Sequence, residues 1–337
     1  MDHVVTTATD FTGWLPIRLF PQDGTLWVDW IYRGSHAFRD SFFRDDVQRL
    51  LRQPFNLAFR RYTPITAMVE WAATGHRNAP GARHVPLKAL LAHTSRCGST
   101  LVAQMLAQLP THIVMSEPPM VDVVLRIRST LPQVTREEQI IWLRALVFAL
   151  GQAPGHEQHL VIKLDAWHVL EWSLLQDAFP QVPALFLYRD PVEIAASLFT
   201  QPSAYMVTGM ITAYSRRGDG CAEAPFTTAG FIARDLGALF DAGVALCQSR
   251  ALRPVHYPSL PAAVWTELAS LLGLSGDAQQ FATLQAASKQ DAKMPSTTFE
   301  HDSQRKQLNA SVELRAAISE RCLASYNCLL AITAALN

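Results

Sequence analysis

From about residue 83 onward, short apolar runs alternate with longer segments whose apolar residues recur at helical spacing. The run 87–93 closes on the polar turn Thr94-Ser95-Arg96-Cys97-Gly98, and helical spacing begins at once over 99–109. Ile113-Val114-Met115 predicts a second strand. A helical region follows over 121–150, with Thr135 placed as an N-cap and Glu137 and Glu138 in the next turn. Strand 160–164, helix 166–178, strand 184–188 and helix 191–200 come next. Residues 203–250 read as mainly helical, Val255-His256-Tyr257 as a further strand, and helices fill most of the C-terminal part. Strands separated by helices predict an α/β fold, a three-layer α/β/α domain around a parallel sheet. In such a sheet ligands bind at the carboxyl ends of the strands.

Residues 1–82 follow a different pattern, rich in aromatics and arginine. Asp23-Gly24 between apolar groups predicts a hairpin turn, and Asp40 to Leu51 an amphipathic helix. Residues 74–81, with two glycines and a proline, form the predicted linker. The chain therefore divides into an N-terminal extension, 1–82, and a main domain, 83–337. The extension is expected to cover one face of that domain, or to serve as an acceptor-binding module.

Apolar residues make up 49% of the chain and charged ones 17%, which excludes wholesale disorder. A formal net charge of zero offers no general attraction to nucleic acid or to an acidic membrane. Any anion site must be built locally. The longest apolar stretch, 140–150, is interrupted by Arg144 and is too short to span a bilayer. No apolar h-region follows the initial Met-Asp-His-Val-Val-Thr-Thr. The five cysteines, one of them inside the turn, form no CxxC pair, and a reducing cytoplasm is the expected compartment.

The turn at 94–98 has the layout of an anion cradle. A strand delivers the chain, backbone N–H groups turn inward, and a helix N-terminus adds partial positive charge. A Walker A loop carries GxxxxGK[ST], whereas here Gly98 occupies the place of the lysine. The pattern specifies an anion without specifying ATP. A second segment, 184–188, ends at Arg189, with Pro191 where a first helical turn begins and Ser197 two turns on. Alone, Arg189 reads as the partner of Asp190 or Glu193 in a solvated turn. Beside the loop, it reads as a grip for a second phosphate.

Ser95-Arg96-Cys97-Gly98-Ser99-Thr100, Ser116-Glu117-Pro118, Ile162-Lys163, and Tyr188-Arg189-Asp190-Pro191 with Ser197 together resemble the sulfotransferases that use 3′-phosphoadenosine 5′-phosphosulfate (PAPS). The loop is most similar to the branch of tyrosyl-protein and carbohydrate sulfotransferases. The resemblance spans 87 to about 260 and implies a P-loop-containing domain. It implies that Ser95, Arg96, Cys97, Gly98, Ser99 and Thr100 hold the 5′-phosphosulfate. Arg189 and Ser197 then bind the 3′-phosphate, and Arg305 and Lys306 cover it. Lys163 stabilises charge on the departing 3′,5′-bisphosphate (PAP).

Glu117 occupies the place of the general base, unless Ser116-Glu117-Pro118-Pro119 merely opens the next helix. His168 and Asp165 are the alternatives. His93 is expected to orient the loop, Cys97 to fill space within it, and Trp167 to sit in the core or against adenine. No metal is implied, and His156-Glu157-Gln158-His159 has the wrong spacing for a zincin helix. The acceptor is a small molecule, saccharide or peptide, and neither its identity nor the oligomeric state is legible. A nucleotide-dependent small-molecule kinase and a noncatalytic nucleotide-binding regulator are the other readings. The missing loop lysine counts against the first of these.

Overall fold

Asp23-Gly24 closes a hairpin between β1 (Trp14–Gln22) and β2 (Thr25–Tyr32), both turn residues having positive φ. β3 (Arg61–Pro64) adds antiparallel to the other edge of β2. The structure, a computed structural model, describes residues 10–74, 83–203, 227–292 and 302–336. Helices α1 (Phe43–Leu51), α2 (Pro54–Ala58) and α3 (Ile65–Thr74) complete the N-terminal unit. α1 begins later than the Asp40 expected from the pattern. The Asp46 carboxylate instead accepts from the backbone N–H groups of Arg39 and Asp40, holding them outside the helix. The predicted linker lies almost wholly outside the described residues.

Phe11 stacks on Trp30 at the centre of this unit with Trp71 edge-on to both, and the same apolar cluster runs on through Val124, Leu146 and Leu150. Gln152 adds a polar tie, its Oε1 accepting from the Gly13 N–H at 2.8 Å and its carbonyl from Arg33 at 2.6 Å. The N-terminal residues thus share a core with the main domain.

The main sheet has β4 (Leu87–His93), β5 (His112–Ser116), β6 (His159–Lys163), β7 (Ala184–Tyr188) and β8 (Arg253–His256). All pairings are parallel, in the order β5-β6-β4-β7-β8. Both faces are buried, which explains the unbroken apolar runs in place of alternation. Ala89, Leu91, Val161 and Leu185 pack toward α4 (Ser99–Ala107) on one face. Leu90, Ala92, Ile162 and Phe186 face the larger cluster on the other. That second layer includes α5 (Pro119–Arg126), α6 (Arg136–Leu150), α7 (Trp172–Ala178), α8 (Pro191–Thr200) and α9 (Thr228–Gln248). α10 (Ala262–Trp265), α11 (Ala269–Leu272) and α12 (Ala278–Ser288) return to the α4 face. α13 (Ser303–Asn309) and α14 (Val312–Ala334) end the described chain.

Three expected elements come out differently. The helical region 121–150 is broken, because Leu131 precedes Pro132 and that dipeptide disfavours helix. α6 restarts at Arg136 under a Thr135–Glu138 capping box. The predicted helix 166–178 opens as a 3-10 segment, Ala166–Glu171, capped by Asp165. Tyr257 leaves the last strand for a short 3-10 turn, with Pro258 in its first turn. Of the region 203–250, residues 204–226 lie outside the described residues.

From β4 the chain moves to the β5 side, then from β6 it crosses to β7 beyond β4. The strand order therefore reverses beside β4, and the crevice at its carboxyl end is the position where such sheets take ligands.

Candidate active site at the carboxyl ends of the strands

The loop leaving β4 is bent by positive φ at Ser95 (70°), Arg96 (50°) and Gly98 (87°). For the two non-glycine residues this conformation costs on the order of 1–3 kcal/mol each. His93 holds it in place. Its Nδ1 accepts the Ser95 N–H at 2.9 Å, and its Nε2–H donates to the Leu164 carbonyl at 2.9 Å. Burial, reinforced by the nearby Lys163 ammonium, pushes the His93 pKa down to about 3, so the ring stays neutral. The Thr94 N–H and the Cys97 thiol both donate to the Leu187 carbonyl, at 3.0 and 3.1 Å. Cys97 is fully buried, and burial raises its pKa, so it serves as a neutral plug. Gly98 is obligatory, because a Cβ there would lie 2.9 Å from both Leu260 Cδ1 and Tyr257 Cδ2.

Arg189, at the end of β7, is buried rather than solvated. Its Nε donates to Glu193 at 2.5 Å, and its Nη2 to Asp302 Oδ1 and Ser303 Oγ at 2.9 Å each. The guanidinium lies 4.1 Å from the centre of the Tyr257 ring. Asp190 takes no part in this. It caps α8, accepting from the N–H groups of Val192 and Glu193 at 2.8 and 3.2 Å.

A cavity of about 520 Å³ joins the loop to this wall, lined by Arg96, Cys97, Gly98, Ser99, Thr100, Arg189, Ser197, Tyr257, Arg305 and Lys306, among others. Asp291 and Asp302 also border it. Ser95 belongs to the loop, but it is buried and its N–H is taken by His93. The Arg96 side chain reaches Gln201 at the end of α8, bridging the two sides of the mouth.

Glu117 and Lys163 stand apart from the cavity lining, at the ends of β5 and β6. Glu117 has φ 57°, and its N–H donates to the Lys163 carbonyl at 2.8 Å. The Lys163 ammonium is buried and donates to Glu117 Oε1, which also lies 3.8 Å from His93 Nε2. The Glu117 side chain keeps 26% exposure, which leaves it open to a reactant while Lys163 is not.

Behind this pair, His168 is enclosed. Its Nδ1 accepts the Asp165 N–H at 3.3 Å, and its Nε2–H donates to Asp122 at 3.1 Å. Asp122 also accepts from Trp167 Nε1 at 2.7 Å and from Arg126. Trp167 is thus tied to Asp122 and is not among the cavity-lining residues. Burial raises the Asp165 pKa to about 6, with Glu117 and Asp122 adding to the effect against His168 and Lys163. Burial would also raise Asp122, but the hydrogen bonds from His168, Arg126 and Trp167 outweigh it and hold the pKa at about 2.

A depressed folded-state pKa stabilises the protein above the unfolded value and loses that contribution as pH falls. Wild type should therefore lose about 2 kcal/mol relative to Asp122→Asn between roughly pH 5 and pH 2. Urea titrations of both proteins across that range measure the difference, and parallel pH profiles would refute it.

Sequence reasoning passed over Asp302 and Asp122, and it placed the Arg189–Glu193 pair in solvent where the structure buries it. Glu193 follows Arg189 by four residues on one helix, a pairing visible in the sequence. Asp302 and Asp122 meet their partners only through the fold. Among the described residues, no group of three or more His, Cys, Asp or Glu side chains is placed to hold a metal ion. No described helix is long and apolar enough to cross a membrane.

No protein-family model matches the chain, and no curated protein matches it in sequence. Among solved structures, the sulfotransferase STF9 from Mycobacterium avium aligns at TM-score 0.43 and 14% identity, over 75% of this chain and 80% of its own. The sulfotransferase domain of the Synechococcus PCC 7002 olefin synthase aligns at 0.40 and 15%, over 75% of this chain and 96% of that domain. The sulfotransferase domain from the curacin biosynthetic pathway aligns at 0.40 and 13%, over 71% and 98%. At these values the likeness assigns no residue a role.

Proposed function

We propose that this protein transfers a sulfuryl group from PAPS to an acceptor hydroxyl. The observation that carries this reading is a single cavity with two anion grips. One is the loop at the N-terminus of α4, the other the wall of Arg189, Ser197 and Lys306. A nucleotide charged at both its 5′ and 3′ positions needs two such grips. ATP, with one polyphosphate tail, needs a loop lysine where Gly98 stands.

In this reading the loop N–H groups and the Ser99 and Thr100 hydroxyls hold the 5′-phosphosulfate, with Arg96 beside it. Arg189, Ser197, Arg305 and Lys306 hold the 3′-phosphate, a guanidinium being suited to bidentate contact with that dianion. The loop sequence Arg96-Cys97-Gly98-Ser99-Thr100 favours the branch that sulfates peptides and saccharides. PAPS supplies the sulfuryl group. Glu117 accepts the acceptor's hydroxyl proton while the acceptor oxygen bonds to sulfur and the bond from sulfur to the phosphate oxygen breaks, releasing PAP. Protonation neutralises the carboxylate that holds Lys163, so the buried ammonium's charge acts through space, without touching PAP, in favour of the negative charge developing there. Glu117 is preferred to His168 as base because both His168 ring nitrogens are already engaged. Positioning and preorganised charge supply the rest of the acceleration.

Calorimetry with PAP, ATP and AMP tests the reading. PAP should bind at least about tenfold more tightly than either competitor, the equivalent of one charge-assisted contact to the 3′-phosphate. Tight ATP binding with indifference to PAP would overturn it.

A further inference from the structure

Asp302 occupies the N-cap position of α13, yet its side chain does not cap that helix. Its two oxygens instead bridge two cations, Oδ1 meeting Arg189 Nη2 at 2.9 Å and Oδ2 meeting Lys306 Nζ at 2.8 Å. Those cations belong to the cavity wall that the proposed function assigns to the 3′-phosphate, and Asp302 borders the same cavity. A carboxylate bridging a guanidinium and an ammonium uses the donors that a phosphate would use. Charge makes the same point. Arg189 and Lys306 are matched one for one by Glu193 and Asp302, so these four groups carry no net charge and Arg305 is the wall's remaining cation.

Glu193 and Asp302 are not equally fixed. Glu193 lies on α8, buried against the core. Asp302 heads α13, which buries none of its own residues and leaves Leu308 85% exposed. Little apolar contact opposes a shift of Asp302 off Arg189.

We propose that Asp302 is a displaceable counter-ion occupying the 3′-phosphate subsite, and that it sets which anions the site admits. The proposal rests on the PAPS reading for the identity of the natural ligand. A phosphate dianion that takes the place of Asp302 brings more charge to Arg189 and Lys306 than the carboxylate did. A monoanion brings no more, and it must compete with a carboxylate tethered to the wall. Asp302 thereby keeps Arg189 and Lys306 paired in the free protein and rejects weakly charged anions, at the cost of some PAP affinity.

The test is calorimetry on wild type, Asp302→Asn and Asp302→Ser with three probes: PAP, adenosine 5′-phosphosulfate and inorganic phosphate. Both substitutions should tighten PAP by about tenfold, since the donors of Arg189 and Lys306 no longer have to be vacated. Adenosine 5′-phosphosulfate, which lacks the 3′-phosphate, should change by less than about twofold. Inorganic phosphate should bind the variants more tightly than wild type and compete there with PAP. Weaker PAP binding in both variants would overturn the proposal, since Asp302 would then be orienting Arg189 for the ligand. Equal tightening of PAP and adenosine 5′-phosphosulfate would overturn it as well. If wild type binds no PAP, the sulfotransferase reading fails by itself. The phosphate arm then decides alone: tighter binding to the variants supports the displaceable counter-ion, and unchanged binding overturns it.

Discussion

Glu117→Gln should leave PAP affinity within about twofold of wild type while lowering PAPS turnover by roughly 10²–10⁴-fold, the range for loss of a general base. The carboxylate is not among the residues lining the cavity between the loop and Arg189, so the contacts proposed for PAP there are left in place. Glutamine preserves the shape and still offers Oε1 to the Lys163 ammonium, but it cannot take a proton from a hydroxyl. Because Lys163 is buried, replacing its ionised partner costs on the order of 1–3 kcal/mol. A melting curve taken beside the kinetics separates that loss from the chemical one. His168→Asn is the informative companion. Acting only through Asp122 and Asp165, His168 should affect stability more than turnover. Unchanged turnover in Glu117→Gln would transfer the base role to Asp165 or His168.

The second large effect belongs to Arg189. Arg189→Ala removes the centre of the second grip, and PAP affinity should fall by about 10² or more, as expected for truncation of a desolvated charge contact. Adenosine 5′-phosphosulfate should weaken by less than about threefold, because it places nothing on that wall. Equal losses for the two ligands would show that Arg189 does not read a 3′-phosphate. The substitution also strips Glu193 and Asp302 of their shared partner. Breaking a buried pair this way costs about 3–5 kcal/mol. Asp302 keeps 24% exposure and can turn to water, which places the expected loss near the lower end of that range. Arg189→Lys keeps the charge but not the fork, and should recover stability more than PAP affinity.

The sequence exposes the sheet because parallel strands buried on both faces need unbroken apolar runs. Leu90, Val161 and Phe186 each sit in one. The loop was equally legible. Its conformation is built from neighbouring residues, and Gly98 stands at the one position where two other side chains leave no room for a Cβ. Helix breaks were harder. Apolar spacing continues across Leu131-Pro132, and only the local backbone preference of that dipeptide interrupts it. Least legible were the charges that complete the site. Arg189 announces itself at the end of a strand, but Asp302 reaches it across the fold from a C-terminal helix. His168 reads as a candidate base until Asp122, brought in by α5, is seen to hold its second nitrogen.

The place of β4 at the middle of the sheet has a consequence for how the chain is made. This strand pairs only with β6 and β7, both of which are translated well after it. At about 5–20 residues per second, β4 spends on the order of ten seconds on the ribosome before Tyr188 is added and both its edges are covered. Until β6 is made Leu90, Leu91 and Ala92 form an apolar ribbon open on both edges, and the edge that β7 covers stays open longer still. The strand is therefore most open to mispairing between synthesis of the loop at 94–98 and synthesis of Arg189. A slow-codon pause in that stretch should lower the yield of folded protein more than one placed after residue 190.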